Sequence, residues 1–508
     1  MKVFWGDMHA NIHTYHLKEL DRIFLYAREI LDFFPIAYYP QEFRVVKGFR
    51  YEDWLDEEII KRDWKTICDF VARYNQPGDF ITFAGYEWQG DGRYGDHNVF
   101  YFDDYPPLIK VNTLPELYAE IRRRKLRALV IPHHTAYQVG IRGKNWDIYD
   151  EELSPFAEIY SQHGSSETDE GGMGLRRNQA MGPEVSGGTV EEALSRGYRI
   201  GIIASTDNHT GTPGFYGHGL MACYASSLTR EALWEAFKER RVYGVTGDRV
   251  VLDFRVEEGM MGEVVSKRGS IGIKVKVRGC EAIDYIEILR NNRLIECYHH
   301  EGKWEIPEDD ERMHFKLRME GGWGPKDNSL SPQDIQGSIK VREGSILKVE
   351  KCWRNVGQWV RRINDSEYEF NFRIYPSNSS GEIPVEALIF EMEGSPSTLI
   401  KIEIEGRKLS FTLKEAMRKS QVVFFPEKVK TQIRERYNID IDSLPRDDPF
   451  YFLSHKVKIH RAVPEVGYTV EINFRDPNPP PGVNFYRVRV HQRNGQKAWS
   501  SPIWVKNE

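Results

Sequence analysis

The chain has 508 residues, 70 basic and 76 acidic side chains, a formal net charge of −6, and ordinary globular proportions of 40% hydrophobic, 29% charged and 13% aromatic residues. That length supports two or three domains, and no run approaches the roughly 18 apolar residues of a membrane span, so no membrane partner is expected. Without a long basic block, nucleic acid is not expected as the main partner, because binding it depends on neutralising phosphates; Arg122-Arg123-Arg124-Lys125 is read as a solvated helix face.

The N-terminus has too short an apolar run for a signal peptide, so the chain is read as starting at Met1 in the cytoplasm. Strands expected over residues 2–5, 80–84, 99–102, 128–131, 157–160 and 200–204 alternate with helices, the pattern of parallel βα units. Thr189-Val190-Glu191-Glu192 is a capping box opening a helix that Gly197 can end, and Thr229 caps another whose Ala232, Leu233, Ala236 and Phe237 form an apolar face. Cys68, Cys223, Cys280, Cys297 and Cys352 are scattered without Cys-x-x-Cys spacing and are read as free thiols.

After about residue 250 the texture changes. Residues 271–277 and 486–490 alternate with a period of two, and Asn494-Gly495 suits a tight type I′ hairpin turn. A capping box at Thr412-Leu413-Lys414-Glu415 places a helical excursion near 412–437, and Pro477 to Gly482 reads as a stiff surface loop. The expected fold class is therefore α/β: a β/α barrel over residues 1–250, then an antiparallel β-sandwich domain over 251–508.

Nine of the 15 histidines precede residue 220, and most lie where an apolar run ends: Gly6-Asp7-Met8-His9-Ala10-Asn11, Gly85-Tyr86-Glu87, Asp96-His97-Asn98, Ile131-Pro132-His133-His134 and Ser205-Thr206-Asp207-Asn208-His209. A barrel of parallel strands assembles a metal centre in this way, from strand ends far apart in sequence. His9 with Asn11, and Asp207 with His209, are one residue apart and share a side if extended. Glu87 supplies a carboxylate, while His97, His133 and His163 supply imidazoles suited to Zn, Mn or Fe.

These residues resemble the PHP (polymerase and histidinol phosphatase) superfamily of metal-dependent phosphoesterases on a distorted TIM-like β/α barrel. Gly6-Asp7-Met8-His9 is similar to the opening Gly-Asp-Leu-His-x-His motif, and Glu87, His133 and Asp207-x-His209 resemble later ligand motifs. Gly85-Tyr86-Glu87-Trp88, His97-Asn98-Val99, the segment 228–234 and the segment 498–504 resemble a long uncharacterised branch with a β-rich C-terminal region. Two departures stand out: Asn11 replaces the second histidine, and Tyr38-Tyr39 replace an acid and a histidine, with His13 and His16 as candidates to compensate.

The resemblance implies one or two divalent ions on His9, Asn11, Glu87, His97, His133, Asp207 and His209, and hydrolysis of a phosphate mono- or diester by metal-bound hydroxide. His134 or His163 would protonate the leaving oxygen, with Asp207 in the catalytic set, or His134 would orient a ligand. Arg93, Arg142, Lys144, Arg176 and Arg177 are candidates for gripping an anionic small molecule or glycan, and residues 164–188, with five further glycines, for a lid. A lyase or hydrolase acting on an acidic carbohydrate, and a non-catalytic metal-binding protein, are the competing readings.

Overall fold

A computed structural model describes residues 1–171, 173–175, 181–302, 311–324, 331–376, 385–446 and 448–507. The chain divides into two compact units, one of Met1–Gly279, Ile283–His299 and Val470–Glu508, the other of Cys280–Ala282 and His300–Thr469. A single cut after residue 250 does not describe this division, because the C-terminal strands return to the first unit.

The first unit is strand-rich. Its opening strands are β1 (Lys2–Gly6), β2 (Ala10–Ile12), β3 (Phe33–Tyr38), β4 (Gln41–Val46), β5 (Phe49–Trp54), β6 (Ile81–Trp88), β7 (His97–Tyr101) and β8 (Ala128–Pro132). They are followed by β9 (Phe156–Ser161), β10 (Gly164–Ser165), β11 (Gly201–Ala204), β12 (Leu220–Ala225) and β13 (Val242–Val245). In the main sheet the order runs β8-β7-β6-β3-β1-β12-β13 and continues into strands Lys497–Ser500, Gly482–Gln492 and Ile503–Asn507.

Parallel pairing holds for β1 with β3, β3 with β6, β2 with β3, and β9 with β11. The remaining pairings among β1 to β13 are antiparallel, in place of the expected β/α barrel: β6, β7 and β8 form a meander. The eight residues between β6 and β7 are too few for the crossover that a parallel neighbour requires. What the pairing shows is a mixed α/β, mostly β unit with few helices.

Those helices pack by amphipathic faces. Helix α1 (Leu20–Ile30) buries Leu20, Ile23, Phe24 and Ala27, and α2 (Glu57–Tyr74) buries Ile60, Trp64, Ile67 and Val71, in each case at helical spacing. Between β1 and the later strands lies a core of Phe33, Ile81, Phe83, Phe100, Phe156, Met221 and Phe237. Thr189 and Thr229 cap their helices, each accepting the N–H of the third residue on, but the expected box at Thr189 is not closed: the Thr189 N–H donates to Ser186 O and Glu192 pairs with Arg196.

In the second unit, strands at Met313–Gly322, Ser345–Cys352, Val385–Gly394, Gln421–Phe424 and Lys456–Ile459 form one antiparallel sheet, and Gln333–Arg342, Trp359–Asn364, Glu367–Ile374, Leu399–Ile404 and Arg407–Thr412 another. The Thr412–Glu415 capping box is present, but strand Gln421–Phe424 divides the excursion into helices Leu413–Arg418 and Pro426–Tyr437. At the Asn494-Gly495 turn only Gly495 has positive φ, so the turn is not type I′, which needs both. No helix among the described residues is long and apolar enough to cross a membrane.

Candidate metal centre

Gly6 lets the end of β1 approach β3 closely, since a Cβ there would lie 2.2 Å from the Phe33 ring. The fully buried Asp7 that follows is a brace. Its Oδ1 accepts the N–H groups of His9 and Thr206, both at 3.0 Å, and its Oδ2 accepts Thr206 Oγ1 at 2.6 Å and Gly214 N–H at 2.8 Å. Together with Asn11 N–H donating to Asn208 O at 2.7 Å, it ties the turn after β1 to the segment after β11. His9 and Asp207, distant in sequence, become neighbours.

Four overlapping triads result among the described residues: His9–Glu87–His133, His9–Glu158–Asp207, His134–His163–Asp207 and Asp96–His133–His134, each with its ligand atoms within 4.8 Å of one another. His9 Nε2 stands 3.6 Å from Glu87 Oε2 and 3.5 Å from Asp207 Oδ1, and His9 Nδ1 stands 2.9 Å from Glu158 Oε2. His133 Nε2 is 3.8 Å from Glu87 Oε1, and His163 Nε2 is 3.0 Å from Asp207 Oδ2. Asp207 and His134 hold left-handed backbone, at φ 53° and 31°. Such conformations cost roughly 1–3 kcal/mol each and persist where packing over-determines them.

The electrostatics suit a cation. Burial pushes the His133 imidazole down to about 4 and the His134 imidazole well below its usual value, keeping both neutral. Burial would raise the Glu87 and Asp207 carboxyls, but His133 and His9 beside Glu87, and His9 and His163 beside Asp207, outweigh it and hold both well below the carboxylate range. Burial would lower His9, yet Asp207 and Glu158 outweigh it and raise that imidazole well above its ordinary value. Burial raises Glu158 and Asp96, each to about 7. Both ring nitrogens of His133, Nδ1 of His134 and Oε1 of Glu158 are buried without a hydrogen-bond partner. Buried ligand atoms left without partners in a field of carboxylates are what a divalent ion satisfies, so the donor set fits the metal implied by the motifs.

Not every expected residue joins. His97 is outside the four triads. Across the β6–β7 pair Glu87 faces Asn98 and Trp88 faces His97, so strand alternation puts Asn98 on Glu87's side. His97 packs against the Trp88 ring and its Nδ1 donates to Gly95 O at 2.8 Å. Asn11 and His209 adjoin the cluster: Asn11 Nδ2 is 3.3 Å from Asp207 Oδ1 and 3.1 Å from His209 Nε2, itself 3.3 Å from Asp207 Oδ1. His13 Nε2 contacts His209 Nδ1 at 3.0 Å, whereas His16 Nδ1 accepts the His13 N–H. Tyr38 turns away to bond Asp63, while Tyr39 reaches the cavity.

That cavity, about 1050 Å³, opens above the cluster and is lined by Glu87, Asp96, His134, His163, Asp207 and His209. Of the basic candidates Arg142 lines it, its guanidinium held by Asp96 at 2.7 Å and by Glu52. Lys144 is fully buried with Nζ donating to Ile148 O at 2.7 Å, and burial pushes its amine down to about 7, so it is no substrate contact. Arg93 is exposed and paired with Asp91 away from the cavity. Arg176 and Arg177, with part of the expected lid, lie outside the described residues.

Glu158 was not among the sequence candidates. Its one signal was a carboxylate alone inside the apolar strand Ala157-Glu158-Ile159-Tyr160. Asp96 was visible only as the neighbour of His97.

A family described as "Protein of unknown function (DUF3604)" matches residues 35–140. An uncharacterized protein of Chlamydia trachomatis is 28% identical over 291 residues, covering 53% of this chain and 45% of that protein. One from Chlamydia pneumoniae is 26% identical over 283 residues, covering 51% and 45%. The chain thus spans about half the length of the curated relatives it matches. Among solved structures, a two-domain protein from Bacteroides vulgatus containing predicted PHP-like metal-dependent phosphoesterase is similar at 11% identity, with 81% of this chain and 94% of that one covered and a TM-score of 0.32.

Proposed function

We propose that this protein is a metal-dependent hydrolase that cleaves a phosphate mono- or diester at a PHP-like metal centre. The observation that carries this reading is the set of four overlapping carboxylate and imidazole triads at the floor of one open cavity. His9, Glu87, His133 and Asp207 would hold one or two ions, with Glu158 orienting His9 through Nδ1. A divalent ion there supplies Lewis acidity toward a phosphoryl oxygen and makes water nucleophilic near neutral pH.

The chain's own groups supply the rest. His134, neutral and on the cavity wall, orients the ligand groups it adjoins. His163, fixed between the Tyr137 hydroxyl at 2.6 Å and Asp207, delivers one to the leaving oxygen. Arg142 presents positive charge to an anionic substrate from the same wall. The test is hydrolysis of bis(4-nitrophenyl) phosphate by protein reconstituted with Mn or Zn, beside a uronic-acid glycan. Turnover of the ester supports the reading, and turnover of the glycan alone replaces it with a carbohydrate-active enzyme.

A further inference from the structure

We infer that the substrate of this cavity carries a planar aromatic group that rests on the Phe43–Arg50 face of the β4–β5 hairpin. This rests on the reading of the cluster as a phosphoesterase centre and names the class of ester it takes. The hairpin is a two-stranded sheet by itself. Phe43 and Glu52 are opposite each other in its register, so both project from one face. Glu52 points inward, where it accepts the Tyr39 hydroxyl and pairs with Arg142, and the Phe43 face is therefore the face toward the cavity.

Phe43 is nevertheless 57% exposed, and Arg50 sits over it with Cζ 3.8 Å from the ring centroid. Tyr15, 60% exposed and stacked at 11° on His13, lines the same cavity. Large rings held open to water beside a site mark a surface awaiting an apolar partner. An aromatic ring topped by a guanidinium favours a flat π-system attached to an anion over a saturated group. The cavity, about 1050 Å³, is at the upper end of ordinary ligand pockets and far larger than a phosphoryl group needs.

The experiment compares methyl, benzyl and cyclohexylmethyl phosphate, whose leaving alcohols have similar acidity, by release of inorganic phosphate on Mn-loaded wild type and Phe43→Ala. The expected result is a benzyl-to-methyl ratio of kcat/KM of at least about tenfold, with the cyclohexylmethyl ester near the methyl ester and the ratio falling below about threefold in Phe43→Ala. Equal benzyl and methyl rates, equal benzyl and cyclohexylmethyl rates, or a ratio untouched by Phe43→Ala would overturn the inference while leaving the hydrolase reading intact. If no ester turns over, calorimetric titration with benzylphosphonate and methylphosphonate decides: tighter benzylphosphonate binding that Phe43→Ala abolishes upholds the aromatic surface although the phosphoesterase reading has failed, and equal binding removes both.

Discussion

Nδ1 of His9 lies 2.9 Å from Oε2 of Glu158, joining the turn after β1 to the middle of β9 across 149 positions of sequence. The contact fixes the ring so that Nε2 faces Glu87 and Asp207. Removing such an orienting carboxylate costs about 10–100-fold in metal affinity. Glu158→Ala should therefore weaken Mn or Zn binding by that factor in a chelator competition titration. Wild-type affinity would remove Glu158 from the site.

Asp207 belongs to two of the four triads and holds a left-handed backbone that asparagine tolerates. Asp207→Asn should keep the fold while losing at least half of the bound metal by elemental analysis. A variant with full metal content would show that the ions sit elsewhere.

Metal should also stabilise the first unit. A ligand that binds only the folded state at about 1000 times its Kd adds about 4 kcal/mol. Denaturant midpoints should rise on adding Mn or Zn, return with a chelator, and rise less in Asp207→Asn. The same rise in wild type and variant would point to binding outside this cluster.

Arg142 and Lys144 should part company. Arg142 faces the cavity from a two-carboxylate clasp, whereas Lys144 is buried against a backbone carbonyl. With an anionic ester, Arg142→Lys should raise KM roughly tenfold, because a lysine cannot span Asp96 and Glu52 as the planar fork does and the cation loses its place on the wall. Lys144→Met should leave KM within about twofold. A KM that responds to Lys144 and not to Arg142 would reverse the assignment.

In the second unit, Glu320 accepts Arg318 Nε at 2.6 Å and His460 Nε2 at 2.8 Å. Burial would raise its carboxyl, but His460 and Arg318 outweigh it and hold it at about 2, against an ordinary 4.5. A carboxylate depressed in the folded state stabilises above its unfolded pKa, and that contribution fades as pH falls from 4.5 toward 2. The full contribution is on the order of 3 kcal/mol. Unfolding measured across this window should show a loss in wild type that is smaller in Glu320→Gln; identical pH profiles would contradict the ion-pair assignment.

Much of the site was legible in the sequence because its motifs are local. A strand carries its ligand to one end, and Asp207-x-His209 or His133-His134 is written in consecutive letters. The same holds for the helices, whose caps at Thr189, Thr229 and Thr412 depend on three residues each. Glu158 could not be weighed this way, since a lone acid in an apolar strand becomes a partner of His9 only when β9 comes to lie beside the turn after β1.

The residue sequence by itself determined the donor types, the strands that carry them, and the period-two alternation of strands such as Ile271–Arg278. Tertiary structure decided the rest. The register of β6 against β7 set Asn98, not His97, on the side of Glu87. The meander β6-β7-β8 replaced parallel pairing, and the strands from Gly482 to Asn507 returned to the first sheet. The reason is physical: local propensity fixes which residues extend or coil, while the partner of each strand, and the face it buries, follow from contacts between segments hundreds of residues apart.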